Sequence, residues 1–87
     1  MAQKVSPRAQ AVAAQLKAEI SLSQTPYNSI PKVAAALGTE YTTYYRRVNG
    51  KMPLSMELLF ATLDLIGVNE EEFWPRAIER MRATREH

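Results

Sequence analysis

Few side chains in this sequence could make or break a covalent bond. The one histidine is His87 and there is no cysteine, so nucleophile–base pairs and the usual nitrogen and sulfur metal-ligand sets are missing. The acidic cluster Glu70–Glu72 follows Asn69 and reads as the first turn of a helix, where an Asn cap and the helix dipole favour carboxylates. Gly38, Gly50 and Gly67 each follow a helix pattern and read as C-caps, not as a phosphate-cradling loop. These residues predict no enzyme, no metal and no cofactor. A different chemistry is concentrated between Glu40 and Lys51, where a carboxylate, hydroxyls, guanidinium groups and an amide crowd into one short stretch. Such groups donate and accept hydrogen bonds; theirs is the chemistry of non-covalent recognition.

Two short helices must position them. Ile30, Val33, Ala34 and Leu37 recur at helical spacing and Gly38 ends that pattern; Thr39, Glu40 and Tyr41 then carry the turn into a second helix, Tyr41 to Val48, stopped by Asn49-Gly50. No room is left for a longer loop, which is the spacing of a helix-turn-helix. Ala34 is small enough to let the two helices cross closely. At 100° per residue Tyr41, Tyr44, Tyr45 and Val48 fall on an inward side, and Thr42, Thr43 and Arg46 on the outward one.

From Ile30 to Val68, roughly half the chain, the sequence resembles the DNA-binding domains of the Cro/repressor family of phage and bacterial regulators. The matching elements are Ala34, Gly38, Gly50-Lys51, Pro53 and the run SMELLFATLDLIGV, which is similar to the family's fourth helix. Two positions depart from the family. Ile30 stands where a glutamine usually braces the second helix on a phosphate, and Arg47-Val48 replaces an aliphatic residue followed by glutamate. Either Val48 takes a core position, or Arg47 reaches over its own stem to solvent or phosphate. The resemblance implies an all-α fold, a compact bundle of about five helices containing the helix-turn-helix, here with a C-terminal helical extension. It also implies double-stranded operator DNA as the partner. On the family's pattern of contacts Glu40 would accept from a cytosine amine, Thr42 would meet a base edge or a thymine methyl, and Arg46 would pair with guanine. Thr43, Asn49 and Lys51 would hold the backbone, and Tyr41 and Tyr45 would reach phosphate with their hydroxyls from the edge of the inward stripe. Tyr44 is expected in the core.

Length and charge bound this reading. Eighty-seven residues predict a single domain with a modest core, residues 1–5 forming a flexible arm and residues 75–87 a helical tail. There is no room for a separate sensing domain, so no small-molecule ligand is expected. No apolar run approaches a membrane span and the N-terminus lacks the apolar core of a signal peptide; with no cysteine, the expectation is a cytoplasmic protein away from membranes. The net charge of +2 is small, but it is segregated. Lys32, Arg46, Arg47 and Lys51 face only Glu40 within residues 30–51, whereas residues 52–74 hold Glu57, Asp64 and Glu70–Glu72 with no base. Such a division would orient one side towards phosphates.

The remaining segments read as scaffold. Ser6-Pro7 caps a helix to about Ile20 with the apolar stripe Ala9, Val12, Leu16 and Ile20. Residues 21–29 form a turn-rich connection, and Ser29 or Asn28 caps the next helix, with Pro31 tolerated in its first turn. That helix start, with Asn28, Ser29 and Lys32, is equally a phosphate seat or plain capping. Ser55 opens a helix to Ile66 so apolar that it is either the centre of the bundle or a homodimer seam. Pro75 predicts a kink or a new helix, with Phe73, Trp74, Ile78 and Met81 folding back on the bundle or into a partner. The alternative to a DNA reader is a helical protein-interaction module, such as an antitoxin-like or antirepressor protein.

Overall fold

A computed structural model of the chain describes residues 5–85. The arm expected at Met1–Val5 lies outside the described residues save for Val5, as does His87. Five helices follow in order, α1 (Pro7–Ser21), α2 (Ile30–Leu37), α3 (Tyr41–Val48), α4 (Met56–Ile66) and α5 (Glu70–Arg85), with no strand among the described residues. All five contribute to one core: Leu16 and Ile20 from α1, Val33 and Ala34 from α2, Tyr44 and Val48 from α3, Leu59, Leu63 and Ile66 from α4, Phe73 and Ala77 from α5.

The helix ends are written in the sequence. The hydroxyls of Ser6 and Ser55 accept from the N–H groups of Ala9 (3.2 Å) and Leu58 (3.1 Å), and the Asn69 amide oxygen accepts from Glu72 N–H (2.9 Å). Between α1 and α2 the hydroxyls of Ser23 and Thr25 bond each other and take the N–H groups of Thr25 and Tyr27, which shapes the connection without regular structure. Ser29 holds the cap position of α2 but makes no side-chain cap bond.

Two expectations need correction and one is narrowed. The buried face of α1 is Ala11, Ala13, Gln15, Leu16, Glu19 and Ile20, while Ala9 is exposed and Val12 half-buried. The reason is that α1 packs broadly on α5 along one side and on α3 and α4 along another, so its buried arc is wider than a single stripe. Of the two outcomes expected at Pro75, a new helix is excluded, because α5 runs through Pro75 without a break. A helix-interior proline costs about 3 kcal/mol, and burying Phe73 alone returns about 1.5–3 kcal/mol. A break after Trp74 would also give up buried Ala77 and the bonds from Arg76 and Arg80 to α1. Finally, Ile78 is exposed, and Ala77 is the residue that enters the core beside Phe73.

Helix α4 buries one face against α1 and α2. Leu59, Thr62, Leu63 and Ile66 are buried, Leu58, Phe60, Ala61 and Leu65 half-buried, and Met56, Glu57 and Asp64 exposed. No helix among the described residues is long and apolar enough to cross a membrane.

Candidate nucleic-acid interface

Helix α3 is held by its two ends and by one buried tyrosine. At its start, Gly38 adopts φ 68°, a left-handed conformation that costs an L-residue about 1–2 kcal/mol. This lets the N–H groups of Gly38 and Thr39 close on the carbonyls of Ala35 (3.2 Å) and Ala34 (3.0 Å), so that α2 ends and α3 begins at Tyr41 within three residues. The same closure recurs after α3, where Gly50 N–H and Lys51 N–H meet the carbonyls of Arg47 (3.2 Å) and Arg46 (2.9 Å). Gly50 is also covered: a Cβ there would stand 3.1 Å from Gln10 Cγ of α1.

Tyr44 and Val48, one turn apart, are fully buried. The Thr62 hydroxyl donates to the Leu58 carbonyl at 2.9 Å, which leaves its oxygen to accept from the Tyr44 hydroxyl at 2.7 Å. A directed chain of hydrogen bonds thus ties α3 to α4. Burial pushes the Tyr44 phenol above its ordinary value.

Opposite Tyr44 on α3 lie Thr42 and Arg46, both exposed, and among the described residues neither side chain makes a hydrogen bond or ion pair within the protein. Tyr41 and Tyr45 border the buried pair Tyr44 and Val48 and stay largely outside the core. They are 46% and 41% exposed, with ring centroids 5.7 Å apart. The physical reason is the shortness of α3: Tyr41 is its first residue and projects past the body, and Tyr45 lies about 80° round the helix from the buried centre. The outward surface of α3 is therefore aromatic along one edge and cationic at its middle.

The other anticipated residues divide by their bonds. Thr43 donates to Glu40 Oε1 at 3.0 Å, leaving Oε2 open as an acceptor at the mouth of α3. Asn49 caps the helix from its side chain, donating to the Tyr45 carbonyl at 2.8 Å, while its oxygen accepts from Lys17 Nζ at 2.7 Å. Arg47 turns back to the Pro53 carbonyl and Val48 takes the core position, which resolves the two alternatives for that pair. Lys51 is exposed. Asn28 and Lys32 bond each other at 3.2 Å near the start of α2, beside half-buried Ser29.

Charge pairing separates this side of the molecule from α5. Arg76 bonds both oxygens of buried Glu19 at 2.9 and 3.0 Å, and that hydrogen bond, with the charge behind it, holds the guanidinium above its ordinary value. Gln15 completes the group, donating to Glu19 at 2.8 Å and accepting from Arg80 at 2.6 Å. Every ion pair among the described residues involves α5. Lys17, Lys32, Arg46, Arg47 and Lys51 have no carboxylate in ion-pair range among the described residues.

Residue spacing on α3 did not reveal Lys17, Gln10 or Thr62, since each meets α3 from another helix. The Gln15–Glu19 pair left a signal: polar residues spaced four apart directly before Leu16 and Ile20, inside an apolar face. The arrangement offers a short helix with a free guanidinium and hydroxyl at its outer surface, bordered by unpaired cations. Comparison with known proteins gives no match to a family model, to a curated protein or to a solved structure.

Proposed function

We propose that this chain is a sequence-specific double-stranded DNA-binding transcriptional regulator, of the phage-repressor or Cro-like kind, that reads the major groove with α3. The observation that carries this reading is the pairing of charge. The cations on and around α2 and α3 are left without carboxylate partners, whereas on α5 Arg76 is paired with Glu19 and Glu72, Arg82 is paired with Glu79, and Arg80 is held by Gln15. A polyanion satisfies the unmatched set and releases counterions in doing so.

In this reading Arg46 pairs with a guanine edge and Thr42 meets an adjacent base. Glu40, oriented by Thr43, offers Oε2 to a cytosine amine. Lys51 contacts phosphate and sets register. The Tyr41 and Tyr45 hydroxyls reach the backbone from the exposed edge of α3. Asn49 and Thr43 act through the bonds they already make, holding the end of α3 and the Glu40 carboxylate, and Asn28, Ser29 and Lys32 form a second, smaller phosphate contact at the start of α2. A homodimer would place two copies of α3 on half-sites one turn apart.

The test is selection of duplexes from a random-sequence pool at two salt concentrations, with a Thr42→Ala/Arg46→Ala variant alongside. Recovery of a defined sequence that the variant fails to select supports a sequence reader, and the symmetry of the site reports the number of subunits. Equal, unselective and salt-sensitive recovery by both proteins refutes it and directs the search to a protein partner.

A further inference from the structure

We infer that α1 is part of the DNA-binding surface: Lys17, docked on Asn49 at the end of α3, clamps together with Lys51 the sugar-phosphate strand that passes along that edge of the helix. This rests on the reading of α3 as the groove-entering element.

Lys17 points from α1 to the end of α3. Its ammonium lies 2.7 Å from Asn49 Oδ1, across a chain separation of more than eight turns of helix, and Asn49 in turn is fixed to the Tyr45 carbonyl at 2.8 Å. The lysine head is therefore held in place at the rim of α3. An ammonium has three donors. One is used by Asn49; the residue is exposed and no carboxylate lies in ion-pair range among the described residues, so the others face solvent with the full charge.

Its neighbours decide the sign of the partner. Asn49 lies beside Tyr45 and next to the Thr42–Arg46 face, so the edge of α3 nearest α1 carries Lys17 and the part-exposed Tyr45, with exposed Lys51 two residues beyond Asn49 in the chain. The opposite edge is different. There Arg47 is folded back on Pro53, Thr43 is turned to Glu40, and the shallow groove beside them is bordered by Glu57. A phosphodiester strand meets free ammonium groups on the α1 edge, whereas on the α4 edge the one cation, Arg47, is already bonded to the Pro53 carbonyl and shares its groove with Glu57. With Arg46 between the two, the orientation of α3 relative to the groove walls follows: the strand lies on the α1 side.

A purely structural role competes, in which Lys17 serves only to steady Asn49 and to oppose the negative end of the α3 dipole. The two roles separate in Lys17→Gln, which keeps a donor for Asn49 and removes the charge. Binding of wild type, Lys17→Gln and Lys17→Arg to the selected duplex and to an unrelated duplex of equal length would be measured against salt, with thermal denaturation of each protein. The clamp predicts that Lys17→Gln lowers the slope of log affinity against log salt by about 0.9 on both duplexes, about a 3.5-fold smaller loss of affinity between 50 and 200 mM salt. Lys17→Arg keeps the wild-type slope, and the preference for the selected duplex is unchanged in both variants. A wild-type slope for Lys17→Gln overturns the clamp and leaves the DNA reading standing. Failure of wild type to bind either duplex overturns both.

Discussion

The hydrogen-bond chain from Tyr44 through Thr62 to Leu58 sets an unequal cost on its two ends. In Thr62→Val the Tyr44 hydroxyl, on a side chain with no exposed surface, loses the acceptor it donates to. Stranding a buried donor costs about 1–3 kcal/mol. In Tyr44→Phe the stranded group is only one lone pair of Thr62, whose proton still serves the Leu58 carbonyl at 2.9 Å; the expected loss is that of one net hydrogen bond, about 0.5–1.5 kcal/mol. Both replacements are close to isosteric, so cavity terms stay small. The double variant removes donor and acceptor together and should cost less than the sum of the two, with a coupling of about 1 kcal/mol or more. Urea titration followed by far-ultraviolet circular dichroism measures all four proteins, with unchanged m-values as the check that only stability has moved. At this chain length each kcal/mol corresponds to about 4–8 °C in Tm. A Thr62→Val protein no less stable than Tyr44→Phe, or strict additivity in the double, would refute the directed chain and with it the account of how α3 is fixed on α4.

The raised phenol of Tyr44 makes stability pH-dependent at the alkaline end: it is fully present below the ordinary tyrosine pKa of about 10 and is lost as pH rises through the higher folded value, because unfolding then frees the phenol to ionise. Tyr44→Phe should flatten that decline, seen as Tm against pH. Gly50→Ala should destabilise more than Gly38→Ala, since both force a side chain to positive φ at about 1–2 kcal/mol but only Gly50 also meets Gln10; trimming Gln10 to Ala should restore the difference in urea titrations. Arg76→Ala should lower Tm by leaving buried Glu19 with Gln15 alone, and adding Glu19→Gln should recover part of the loss. Arg46→Ala should weaken binding to the selected duplex by about 1–3 kcal/mol and relax preference at one base pair, whereas Lys51→Ala should weaken all sequences alike in fluorescence titrations.

The elements that local chemistry specifies were legible from the sequence. Ser6, Ser55 and Asn69 cap as their types require, Gly38 and Gly50 end helices where the apolar spacing stops, and α3 spans Tyr41–Val48 as its pattern dictates. What escaped is non-local. A helical wheel groups Tyr41 and Tyr45 with Tyr44 and Val48, but Tyr41 is the first residue of α3 and Tyr45 lies about 80° round from the buried centre, so both rings stay partly exposed. At Pro75 the sequence left a kink and a new helix open, because the proline's penalty is local while the gain from α1 that keeps the helix continuous lies more than fifty residues away in the chain. Among the anticipated contact residues, Thr42, Arg46 and Lys51 stand free at the surface; Thr43, Asn49 and Lys32 are occupied by bonds that no spacing rule announces.

The pairing of α1 with α5 has a consequence for the order in which the chain can mature. Leu16, Glu19 and Ile20 precede by more than fifty residues the side chains that cover and neutralise them, Phe73, Arg76 and Ala77. Contacts this far apart in sequence slow closure of the core, and a nascent chain emerges N-terminus first. Until α5 arrives, the α2–α3 hairpin rests on a half-open platform with a carboxylate facing apolar side chains. The bundle therefore completes late and cooperatively, and the last helix acts as the latch on the surface formed by the first three.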